Sequence, residues 1–151
     1  MTIKFKMEPG TYYVWVGGSC DYGRPERPSA GAYIIASSAG AQETFVTTDN
    51  NTTEFRMLLT VIIHALEILP PSSRIVILTN VSYLLNFDKE TSPEMSNGDL
   101  IQKCREKKAR HKSVSIRIVS FHKYTELQET HDMARKAMIL KREAMSKSGR
   151  A

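Results

Sequence analysis

At 151 residues the chain is long enough for one sizeable core, and no apolar run approaches the roughly 20 residues that cross a bilayer as a helix. Apolar residues make up 41% and charged residues 25%, which excludes a disordered or fibrous chain. The net charge of +5 suits a polyanionic partner without specifying one.

Residues 11–19 predict a strand, with Tyr12, Tyr13, Val14, Trp15 and Val16 favouring extended structure and Gly17-Gly18 ending the run. The loop CDYGRPERPSAG is dense in turn formers, and Pro25 and Pro28 keep it out of a central strand. AYIIAS (32–37) and ETFVTT (43–48) predict two further strands joined through SAGA, so three antiparallel strands come first. Phe55, Leu58, Leu59, Ile62, Ile63, Leu66 and Leu69 recur every three or four residues, the stripe of a buried helix. Asn51 or Thr52 would cap that helix and Pro70-Pro71 end it. RIVILTN (74–80) is a continuous apolar run, expected as a central strand covered on both faces. VSYLLNF predicts a short helix, SNGDLIQKCREKKARHK a helix that becomes basic, SVSIRIVSF (113–121) a strand, and TELQETHDMARKAMILKREAMSK a last helix.

The order of elements is that of an α/β chain, a mixed sheet of about five strands, three antiparallel and then two parallel, with helices on both faces. No linker or repeat divides it, so one domain over 1–151 is expected, with a core at about 11–137 and a basic helix and tail at 138–151. Cys20 and Cys104 lack metal-site spacing and fit reduced thiols. MTIKFKMEPG offers neither a long apolar stretch nor a cleavage site, so a cytoplasmic, membrane-free protein is expected.

The junctions between elements carry more. VWVGGSC closes the first strand, TTDNNTTEF leads into the first helix, and LLTVIIHALE continues it. ILTNVSYLLN joins a strand end to a short helix, SNGDL opens a later helix, and SFHKY precedes HDMARKA in the last. In this order and spacing, over about Tyr12 to Ala137, the chain resembles the type I ribonuclease H family. That resemblance implies cleavage of the RNA strand of an RNA/DNA hybrid, assisted by two Mg²⁺ or Mn²⁺ ions about 3.5–4 Å apart. Hard cations take oxygen ligands, and the family supplies them from three aspartates and a glutamate.

Carried over residue by residue, the first aspartate position is Gly17, with no side-chain ligand, and the glutamate position is Glu54, retained. A competing register would place Leu58 there, but Leu58 belongs to the apolar stripe. The third position is Asn80, an amide without charge. The last is His131 when counted back from Met133-Ala134, or Asp132 when counted from His122; helix register favours His131. His122 falls at the family's mobile-loop histidine, without its flanking glycines. Asp21, Asp49 and Asp88 are the carboxylates available to replace lost ligands. A degenerate site with no high-affinity metal and no cofactor is therefore expected.

By the same resemblance Asn50, Asn51 and Asn97 would approach the minor groove of a hybrid or of double-stranded RNA, reading 2′-hydroxyls and shape. As local features, Asn50-Asn51 also serve as turn and cap residues. The basic run of Lys103, Arg105, Lys107, Lys108, Arg110 and Lys112 would supply phosphate contacts or simply form a solvated helix face. The stretch NFDKETSPEMSNG has no tryptophan and is rather acidic, unlike the family's basic protrusion. Trp15 is expected in the core, His64 in packing or at the surface, and His111 with the basic run. Three functions follow: a pseudoenzyme binding nucleic acid or a protein, a working nuclease with a non-standard carboxylate set, and a scaffolding module assembled through its last helix.

Overall fold

A computed structural model describes residues 4–40, 42–86 and 97–148. Five strands, β1 (Thr11–Cys20), β2 (Ser29–Ala36), β3 (Gln42–Asp49), β4 (Arg74–Thr79) and β5 (Ser113–Ile118), form one sheet in the order β3-β2-β1-β4-β5. The pairs β1–β2 and β2–β3 are antiparallel, and β1–β4 and β4–β5 are parallel. Three long helices complete the fold: α1 (Glu54–Ile68), α2 (Gly98–Lys108) and α3 (Thr125–Ser148). Short 3₁₀ turns lie at Ser82–Asn86 and Phe121–Lys123.

Strand alternation distributes the core. Val14 and Val16 face the helix α1 side, in a cluster with Leu58, Leu59, Ile62, Leu66, Ile75, Ile77, Ile101 and Cys104. Tyr13 and Trp15 face the α3 side with Phe5, Leu78 and Leu127, where Phe5 meets Trp15 edge to face at 5.0 Å. Every residue of the α1 stripe is buried except Phe55, which is half-buried and lies against Tyr83.

Four local expectations are corrected. Gly17 and Gly18 do not end β1; they pair with Ala32 and Gly31 and the strand runs on to Cys20. Their smallness serves packing instead: a Cβ on Gly17 would lie 3.0 Å from the His131 backbone nitrogen of α3, and one on Gly18 3.0 Å from Glu54 Cγ of α1. Thr53, rather than Asn51 or Thr52, caps α1, its Oγ1 accepting from the Arg56 N–H at 3.2 Å. Asn51 sits in the left-handed region (φ 54°) and Thr52 is buried. The fifth strand stops at Ile118, because its partner β4 stops at Thr79, which accepts the Val119 N–H at 2.8 Å. Helix α2 ends at Lys108, short of the full basic run.

Candidate functional site

The parallel pairing of β1 with β4 brings the last part of β1 beside the end of β4, and so brings Gly17 near Asn80. Helix α3 crosses the same end. A Cβ on Gly17 would lie 3.0 Å from the His131 backbone nitrogen and 3.1 Å from the Thr130 carbonyl carbon. The helix backbone therefore occupies the space into which a side chain at position 17 would project. From this helix His131 reaches the strand end, its Nε2 3.0 Å from Asn80 Oδ1, and the Phe121 ring stands edge-on to it at 5.0 Å. Since an amide oxygen only accepts, His131 donates this bond from Nε2. Burial holds the His131 imidazole below its ordinary pKa.

Glu54 opens α1 on the other side of β1, where its Cγ would be 3.0 Å from a Cβ on Gly18. Its N–H donates to the Tyr22 hydroxyl at 3.0 Å, and burial raises its carboxyl pKa. Tyr83 stacks obliquely on Phe55 at 4.9 Å. Its phenol is raised by burial first and then by the charge of Glu54 and by Tyr22. Tyr22, Tyr83 and Leu85 remain well exposed, at 59%, 48% and 54%. The aromatic rim of Tyr22 and Tyr83 was missed in the sequence, where Tyr22 reads as a loop residue and Tyr83 as part of a short helix. Their signal was the setting of each beside Glu54, which needs the fold to be seen.

The structure brings Gly17, Asn80 and His131 together, with Glu54 across β1. Asp132 points elsewhere, exposed and paired with Lys136 at 2.9 Å. His122 is exposed in the 3₁₀ turn, where Gln128 Nε2 donates to the Phe121 and His122 carbonyls, both at 3.2 Å. Of the alternative carboxylates, Asp21 pairs with Arg142 at 3.0 Å, and that hydrogen bond lowers its pKa. Asp49 accepts the Asn50 N–H at 2.8 Å. Asp88 lies outside the described residues, as does most of the acidic stretch 86–98. Among the described residues no three His, Cys, Asp or Glu side chains are grouped to hold a metal ion. The described residues do not fit the two-cation arrangement: position 17 has no donor atom, the Asn80 oxygen is engaged by His131, and Glu54 is a single carboxylate.

The other candidates divide into two regions. Asn50 and Asn51 lie in the turn before α1, where the Asn51 N–H donates to the Glu26 carbonyl at 2.6 Å. Asn97 takes a left-handed conformation (φ 62°) at the start of α2. Its Oδ1 accepts from Arg56 at 3.2 Å, while the same guanidinium holds Asp99 through two bonds of 3.0 and 2.8 Å. That fork lowers the Asp99 pKa to about 2. Arg56 is a third residue missed in the sequence; from α1 it holds the start of α2 through Asn97 and Asp99.

The basic run begins about 9 Å along α2 from Asn97, at Lys103, and continues past the helix end. Two of its members are structural: Lys107 pairs with Glu67 at 3.4 Å, and Arg110 donates to the Leu66 and Glu67 carbonyls at 3.0 and 3.2 Å. These are last-turn carbonyls of α1, a helix with no basic residue of its own there. His111 is buried rather than part of a solvated face. His64 is a packing residue, stacked on Phe45 at 3.8 Å with its Nδ1 2.8 Å from the Tyr33 hydroxyl, whose pKa burial pushes up to about 12. Lys103 is exposed on α2, and Arg105 and Lys108 line a cleft near the start of β5.

No protein-family model and no curated protein sequence matches the chain. Among solved structures it is similar to LC9-RNase H1, described as a type 1 RNase H with the type 2 active-site motif. The superposition has a TM-score of 0.72, covers 91% of this chain and 76% of that one, and carries 19% identity. The chain has the ribonuclease H-like fold. In ribonuclease H-like terms, β1 to β3 are the antiparallel half of the sheet and β4 and β5 the parallel half, covered by helices on the two faces. Among the described residues no helix is long and apolar enough to cross a membrane.

Proposed function

We propose that this ribonuclease H-like chain binds nucleic acid without metal-dependent cleavage, as a pseudoenzyme of the fold. The observation that carries the reading is the His131–Asn80 hydrogen bond beside Gly17, which puts an imidazole and an amide where cation chemistry needs anionic oxygen. Fold alone does not confer activity. The surface beside this end of the sheet has features suited to a polynucleotide: Asn50, Asn51 and Asn97 near an aromatic rim, with Arg56 between Asn97 and Asp99. The substrate class that the fold suggests is an RNA/DNA hybrid or double-stranded RNA.

The test is a gel-shift series on hybrid, double-stranded RNA and double-stranded DNA at two salt concentrations, with a hybrid-cleavage assay in Mg²⁺ and in Mn²⁺. Retarded bands without cleavage are expected. Cleavage that disappears in Glu54→Gln would establish the working-nuclease reading instead, in which displaced carboxylates serve; two of these, Asp21 and Asp132, are each engaged by a cation.

A protein partner is the second reading. Exposed tyrosines and a leucine at one end of the sheet have the composition of an interface centre. No retardation on any of the three duplexes, with a partner captured by wild type and lost in Tyr83→Ala, would favour it.

A further inference from the structure

Glu54 stands half-buried at the start of α1. Its N–H donates to the Tyr22 hydroxyl at 3.0 Å, so that phenol reaches the first residue of the helix. Phe55 follows it and meets Tyr83 at 4.9 Å, the two rings inclined by 54°. Glu54 and Tyr22 both act electrostatically on the Tyr83 phenol, so the three groups are neighbours. Both tyrosines remain exposed. Among the described residues no cation and no hydrogen-bond donor reaches the Glu54 carboxylate, which feels burial alone. Asp21 and Asp99, by contrast, are each held by an arginine. A carboxylate partly withdrawn from water calls for N–H donors. A hard cation would need further oxygen ligands, and the described residues do not group them here.

Exposed rings beside a carboxylate suit a nucleobase, which offers a flat face for stacking and N–H groups along its edge. An ionised carboxylate has two acceptor oxygens and no donor. Guanine alone sets two donors side by side, N1–H and N2–H₂, matching those oxygens with a pair of charge-assisted bonds. In cytosine and adenine the amino group adjoins a ring nitrogen acceptor, and in uracil N3–H lies between two carbonyls. A carboxylate repels each of those acceptors. Base pairing occupies this edge of guanine, so the base must be unpaired. An arginine from a partner protein would meet the same carboxylate, but the net charge of +5 favours a polyanion.

We infer that Glu54, Tyr22 and Tyr83 bind an unpaired guanine base, at a single-stranded end or loop, an inference that rests on the chain's binding nucleic acid at this surface. Glu54 accepts from N1–H and N2–H₂, and an exposed tyrosine ring stacks on the base.

The experiment is fluorescence anisotropy of the full chain with a labelled RNA/DNA hybrid, either blunt or ending in a short RNA overhang of guanosine, inosine or adenosine. Inosine is guanosine without the N2 amino group. The guanosine overhang should bind more tightly than the blunt hybrid, and about tenfold more tightly than the inosine one. Glu54→Gln should remove the difference between guanosine and inosine, while Glu43→Gln, at the far end of β3, keeps it. Tyr83→Ala, an exposed change, should weaken both overhangs alike by about tenfold and gives a second reading should Glu54→Gln lose its fold. Equal affinity for guanosine and inosine, with the blunt hybrid still bound, overturns the inference and leaves nucleic-acid binding standing. Binding of none of these nucleic acids overturns both, and displacement of nothing but an arginine-bearing peptide by Glu54→Gln would give the carboxylate to a protein partner instead.

Discussion

A side chain added at Gly17 meets helix backbone rather than a flexible neighbour, with His131 N at 3.0 Å and Thr130 C at 3.1 Å. Restoring the family's carboxylate by Gly17→Asp therefore forces α3 outward. We expect a loss of about 1–3 kcal/mol, read by urea unfolding through the sole tryptophan, and no gain of hybrid cleavage. The neighbouring His131 has its own signature. Its folded pKa lies below the unfolded value of about 6.5, so the folded state binds its proton less readily than the unfolded chain does. Its contribution is fully present above that unfolded value and is lost as pH falls toward the depressed folded one. Asn80→Asp places a carboxylate beside the imidazole and should raise the His131 pKa, weakening or reversing that slope; NMR titration of the ring protons checks it. Much of this site was legible beforehand: Gly17, Asn80 and His131 do come together at one end of the sheet. The closing of α3 onto Gly17 was not, since helix approach depends on side chains far apart in sequence.

Among the elements, α1 depends on others at both ends. Thr53 caps its start, while its terminal carbonyls receive Arg110 and His111 from the segment that follows α2. Arg110→Ala should therefore cost about 1 kcal/mol in chemical denaturation, whereas Lys103→Ala, on the exposed face of α2, should change stability by less than about 0.5 kcal/mol. The basic run was the least legible stretch. A string of lysines and arginines looks uniform, but only the tertiary fold sets Lys107 and Arg110, which serve α1, apart from the rest. The helices and strands themselves were readable because their periods differ, 3.6 against 2. Strand limits were less so, as with β5, whose end is set by its neighbour β4 and not by its own residues.

For the whole molecule, the net charge of +5 and the division of its cations bear on any polyanion it binds. Lys107, Arg110, Arg56 and Arg142 are engaged with partners inside the protein, which removes them from the set most readily offered to phosphates. If about three contacts form, log affinity should fall against log salt with a slope near −2 to −3, measured by fluorescence anisotropy on a labelled duplex. A slope near −6 would show a contact surface about twice as wide. The architecture was legible at this scale from the order of elements and their junction motifs, and the likeness to a ribonuclease H-like structure bears it out.

Helix α3 also fastens the chain to itself over a long span. Arg142 holds Asp21, and Ser146 accepts from Arg24 at 2.9 Å, so the loop after the first strand is secured by residues more than a hundred positions later. The same helix covers the sheet face that contains Trp15. During synthesis the first half of the sheet must therefore wait with that face open until the last helix has emerged. Such late, distant closure is slow, and it makes the nascent chain a client for whatever shields apolar surface in the meantime.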